Sequence, residues 1–168
     1  MRLLTDSRGN TKLHKSELPQ FRIVGLALSP ADTAPDLPTN CSHSTAACRS
    51  ACVGGPLVGL ALVWQSIMAG RIAKTQYLRQ DRAGFIRQLV QELATEQRIA
   101  ERDGRRLVVR LNTYSDLPWE SGEFGEIPQQ FPNVIAYDYS KRHERRHRVP
   151  SNYHLCHSWD ETPKGQAS

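Results

Sequence analysis

Phe85, Ile86, Leu89, Val90, Leu93 and Ile99 recur mostly three and four residues apart, which puts one buried stripe on a helix from about Asp81 to Asp103. Asp81 suits the N-cap of that helix and Gly104 its stop. Short apolar runs with strand character lie on either side. Phe21 to Ser29 precedes the helix, Arg105 to Asn112 follows it, and Asn133 to Tyr139 and Tyr153 to Trp159 come later. A strand, a long helical crossover, a second strand and then a short crossover to a third specify a parallel sheet. The expected architecture is α/β: a parallel-sheet, partial (β/α)-barrel-like single domain with a cysteine loop after the first strand. A chain of 168 residues suffices for one well-cored domain. Residues 1–20 read as an extended N-terminal arm, 21–160 as the core and 161–168 as a flexible tail.

That cysteine loop carries the strongest chemical signal. Cys41, Cys48 and Cys52 fall within twelve residues, although the chain has only 4 cysteines. Cys48 and Cys52 stand four apart, so a helical turn puts them on one face, and Cys41 can fold back to join them. Three thiolates with one open coordination position suit an iron–sulfur cluster or zinc. With His43 as a fourth ligand, the alternative is a closed structural zinc site. Inert packing of buried thiols ranks behind metal, and disulfides behind that. Met1 to Asn10 lacks the hydrophobic core of a signal peptide, so a cytoplasmic chain is expected.

In a parallel sheet the site lies beyond the carboxyl ends of the strands. Polar and aromatic residues gather at those predicted ends. Asp116, Glu120 and Asp138 are the candidate catalytic acids, bases or hydrogen-bond acceptors. Arg110, Asn112 and Lys141 are the candidate cofactor-binding residues, with the two cations suited to an anionic group. Individually, Asn, Asp and Ser are equally at home in caps and turns. As a set they read as a functional rim.

Charge and hydropathy narrow the partners. A net charge of +5 permits a nucleic acid or phosphorylated ligand without demanding one. Much of it sits in the run Lys141 to Arg148, read first as a solvated loop and second as a phosphate contact. The nearly uncharged stretch from Cys52 to Ala69 is shorter than the roughly 20 apolar residues of a membrane span. It reads as a buried helix starting near Pro56 and ending at about Arg71 to Leu78, so no membrane partner is expected. There is no Gly-rich loop ending in Gly-Lys-Ser/Thr and no Gly-x-Ser-x-Gly elbow.

Several segments resemble an uncharacterised family of bacteriophage and prophage proteins, the gene product 88-like family. They are Leu26-Ala-Leu-Ser-Pro-Ala-Asp32, Arg71-Ile-Ala-Lys-Thr75, Asp81-Arg-Ala-Gly-Phe85, Tyr137-Asp-Tyr-Ser-Lys141 and Pro150-Ser-Asn-Tyr-His-Leu155. Most specific is Arg110-Leu-Asn-Thr-Tyr-Ser-Asp-Leu-Pro-Trp-Glu120. The resemblance runs from about Gly9 to Trp159 and implies a phage or prophage origin, a bacterial host cytoplasm and a barrel-like α/β scaffold. It implies no activity. Similar proteins continue beyond the last strand, and the stretch after Cys52 is more apolar here than in them. The position of Cys156 is usually not cysteine in the family, so it stays outside the site.

Two functions follow as expectations. One is an iron–sulfur enzyme with the logic of radical S-adenosylmethionine enzymes, which hold a cluster by three cysteines after the first strand of a partial barrel. Their thiol spacing differs from the one here. The other is a zinc-stabilised, non-catalytic phage accessory or nucleic-acid-binding protein.

Overall fold

The computed structural model describes residues 1–14, 18–31, 33–34, 36–52, 54, 61–142, 144–145 and 149–159. Five strands form one sheet in chain order: β1 (Leu4–Asp6), β2 (Phe21–Leu26), β3 (Arg106–Arg110), β4 (Ile135–Ser140) and β5 (Tyr153–His157). β2 to β5 run parallel, with Phe21 opposite Arg106 and Ala136 opposite Tyr153. β1 joins β2 antiparallel, Leu4 facing Leu26. The parallel strands follow chain order, as in a barrel wall opened out, and β1 and β5 form its edges.

The long crossover between β2 and β3 carries α2 (Ala46–Ser50), α3 (Ala61–Gln80) and α4 (Arg82–Arg102). Asp81 caps α4 by accepting a 2.8 Å hydrogen bond from the Gly84 amide, and Gly104 leaves the helix with a φ of 66°. Phe85, Leu89 and Leu93 are buried as the periodicity requires, with Ile86 and Val90 packed at the margin. They meet Val24 and Leu26 of β2, Leu107 and Val109 of β3 and Ala136 of β4, one alternating face of the sheet. Ile23 and Val108 point the other way, onto Leu13 of α1 (Thr11–His14).

Two expectations need adjusting. The N-terminal arm is partly sheet: Leu3 and Leu4 are buried, and their amides donate to the Glu92 carboxylate on α4 at 2.8–3.0 Å. A strand of 3 residues is too short to show alternation, and its anchor lies far along the chain. α3 runs on to Gln80, and its expected start near Pro56 lies outside the described residues. The short crossover between β3 and β4 carries a 3-10 turn at Gly122–Phe124 followed by α5 (Ile127–Gln130). No described helix is long and apolar enough to cross a membrane.

Phe85 ties helix to site: its ring lies 5.4 Å from that of Tyr77 and 6.4 Å from that of Trp119. Phe85→Ala is expected to cost about 3–5 kcal/mol in urea unfolding. A loss below about 1 kcal/mol would show that this cluster does not hold α4 to the sheet.

Candidate functional site

The chain leaving β3 is shaped by Asn112. Its Oδ1 accepts from Ser115 Oγ, the Leu117 amide and Trp119 Nε1, and its Nδ2 donates to Leu117 O. The Asn112 backbone amide and Nδ2 also donate to the Asp138 carboxylate on β4, at 2.8 and 3.2 Å. These bonds fold residues 112–119 into a tight turn at the carboxyl edge of the sheet. The cysteine loop attaches to that turn. The Asp116 amide donates to Asn40 O at 2.8 Å, and Cys41 Sγ donates to Tyr114 O at 3.3 Å. Arg71 of α3 lies 3.9 Å from the Tyr114 ring centroid and donates to Gly54 O. A Cβ on Gly54 would come within 2.6 Å of the Tyr114 ring, so only glycine fits there.

Between loop and strand ends lies a cavity of about 420 Å³. Cys41, Cys48 and Cys52 line one wall; Arg110, Asn112, Asp116, Tyr139 and Lys141 line the other. The Thr45 hydroxyl caps α2 by accepting from the Cys48 amide, which sets that cysteine at the start of the turn. All three thiols are half-buried, whereas Cys156 is exposed on β5. Burial pushes the Cys41 thiol up to about 11, and Cys52, Asp116 and Cys48 push the same way. Among the described residues, no three His, Cys, Asp or Glu side chains already stand together as a metal-ready group. His43 lines the exposed rim, its Nδ1 paired with Ser42 Oγ at 2.9 Å.

Behind the cavity the charges are buried and paired. Arg145 is 3% exposed. Its Nε and Nη2 hold both Glu120 oxygens at 2.8 Å, and its Nη1 bonds Asp116 Oδ1. Asp116 also accepts from Ser140 Oγ and the Lys141 amide. Burial works against the charge on Arg145, but the Glu120 hydrogen bonds, with Tyr153 and Asp116 beside them, raise its pKa above the usual arginine value. The run from 141 to 148 is therefore not simply a solvated basic loop: Arg145 turns inward, while 143 and 146–148 lie outside the described residues. Its burial depends on acids more than twenty residues upstream, which no local pattern reveals.

Asp138 is fully buried and accepts a 2.8 Å bond from Tyr153 Oη. Burial lifts its carboxyl to about 7 despite the hydrogen bonds from Tyr153 and Asn112 and the nearby Arg110 and Arg145 charges. Glu120 and Asp138 thus sit behind the cavity wall, and Asp116 is the carboxylate that faces it. Asn112 lines the cavity, but its carboxamide serves the turn. Lys141 Nζ donates to Trp159 O at 2.9 Å. Tyr114, Tyr139, Trp159 and Arg145 were not singled out from sequence. Position alone could have flagged Tyr139 and Trp159, which close predicted strands.

A family model described as Gene product 88 matches residues 2–168. The chain belongs to the Gene product 88 family. The match takes in both the Arg110–Glu120 turn and Tyr137–Lys141, and makes this a phage gene product. It assigns no activity. No curated protein and no solved structure matches the chain.

Arg145→Ala strands Glu120 in the interior and is expected to cost about 3–5 kcal/mol, much of it recovered in Arg145→Met/Glu120→Gln. Equal urea midpoints for the wild type and Arg145→Ala would contradict a buried pair. Asp138 makes a second, pH-dependent contribution. Its folded pKa lies above the unfolded value of about 3.9, so the stability it lends is full at low pH and is lost as pH rises through about 7. The stability advantage of the wild type over Asp138→Asn should therefore shrink between about pH 4 and 7 and level off above. An advantage that grows with pH in urea titrations would reverse the assignment.

Proposed function

We propose that the cavity houses a metal centre ligated by Cys41, Cys48 and Cys52, an iron–sulfur cluster with one coordination position open to a small anionic ligand. The carrying observation is that all three thiols line one cavity at the carboxyl ends of parallel strands, opposite Arg110, Asp116 and Lys141. Half-buried soft donors with no competing oxygen cage suit iron–sulfur ligation. An open cluster iron would supply one-electron reduction of a bound ligand, the chemistry of the radical S-adenosylmethionine enzymes.

The remaining steps belong to the chain. Cys41 must lose a proton that burial favours, so loading requires its release and strengthens with pH. Cys48 lies within α2 and Cys52 just past its end, so both move with that turn relative to Cys41. Arg110 and Lys141 present positive charge to an anionic ligand. Asp116, oriented by Ser140 and Arg145, is the proton acceptor at the cavity wall. Glu120 and Asp138 act through it and through Asn112, as positioning residues. Such a centre calls for a reducing compartment, and we place the protein in the bacterial host cytoplasm.

A second reading, structural zinc closed by His43 in a non-catalytic accessory protein, draws on the presence of His43 at the rim of the same cavity. Anaerobically purified protein should be brown, with iron and acid-labile sulfide in matching amounts, and the Cys41, Cys48, Cys52→Ala triple variant should be colourless. One zinc per chain without colour would replace the first reading by the second. Metal retained by the triple variant would refute both.

A further inference from the structure

Arg110 is 6% exposed and lines the cavity, yet its Nε makes no hydrogen bond among the described residues. Its neighbours are the ring faces of Tyr139 and Tyr137, 4.8 and 5.6 Å from the guanidinium carbon, and the Asp138 carboxylate, 4.0 Å from Nε. Asp138 already serves Asn112 and Tyr153. A nearly buried guanidinium held by rings keeps its planar fork for a ligand, and the chemistry that matches it is a carboxylate or phosphate. The contrast with Arg145 is direct, since that fork is filled by Glu120.

The same cavity carries aromatic surface at its mouth. Tyr139 is 48% exposed and Trp159 66% exposed, and both line it. Large flat side chains left in water beside a recessed cation suit a ligand that is planar at one end and anionic at the other. A nucleic-acid polymer fits less well, because Arg145, the centre of the nearby basic run, is turned into the interior.

We propose that the cavity binds a small ligand of the nucleotide class, its base against Tyr139 and Trp159 and its anionic group on the Arg110 fork. This rests on the assignment of the cavity as the functional site and not on the metal. Calorimetric titration of the full chain with AMP, adenosine and inorganic phosphate tests it, in the wild type and in the Cys41, Cys48, Cys52→Ser variant. AMP should bind roughly tenfold or more tightly than either fragment. Arg110→Lys, which keeps the charge but not the fork, should weaken AMP about tenfold and leave adenosine unchanged. Trp159→Ala, at an exposed position that the fold tolerates, should weaken AMP and adenosine alike. AMP binding without detectable metal upholds this proposal while the metal reading falls. Metal without saturable AMP binding, AMP no tighter than adenosine, or affinities indifferent to both substitutions would overturn it.

Discussion

The carboxamide of Asn112, just past the end of β3, takes part in five hydrogen bonds within the turn and to β4. In a buried setting each is costly to leave unmade, and together they admit one path for residues 112–119. That path places the Trp119 indole in the core beside Phe85, Tyr114 over Arg71, and Asp116 within reach of Ser140 and Arg145. The cysteine loop is then fastened to the turn through Asn40 and Cys41. The cavity inherits its shape from this amide.

Two arginines at the strand ends divide the electrostatic work. Arg145 is saturated by Glu120, Asp116 and Tyr153 and ties the return to β5 to the turn after β3. Arg110 is enclosed by aromatic faces and a shared carboxylate, and it faces the cavity. The first makes a rigid floor of Asp116 and Glu120. The second leaves a cation where the parallel strands end, the position at which open α/β sheets bind ligands.

Much of the scaffold was legible because it rests on local periodicity. The α4 stripe, its Asp81 cap and the three strands from β3 to β5 follow from residues that alternate or recur at helical spacing. The convergence of Cys41, Cys48, Cys52, Arg110 and Asp116 was legible from topology, since loops after parallel strands meet at one edge. What escaped depends on distant partners. β1 needs Glu92, Arg145 needs Glu120, and Asn112 was read as a ligand contact because nothing nearby announces that its amide organises the chain. Glu120 and Asp138 were legible as acids at the strand ends, but their depth behind the cavity wall was not.

Glu92 and Glu96 on α4 give the N-terminal strand an unusual timetable. Glu92 receives the amides of Leu3 and Leu4, and Glu96 pairs with Arg2 and Arg22. These partners lie up to 94 residues apart in sequence. During synthesis Leu3 and Leu4 therefore leave the ribosome well ahead of their anchor on α4. β1 has its partner β2 close by in the chain, but its second anchor forms only once α4 has emerged and coiled, before β4 and β5 complete the sheet.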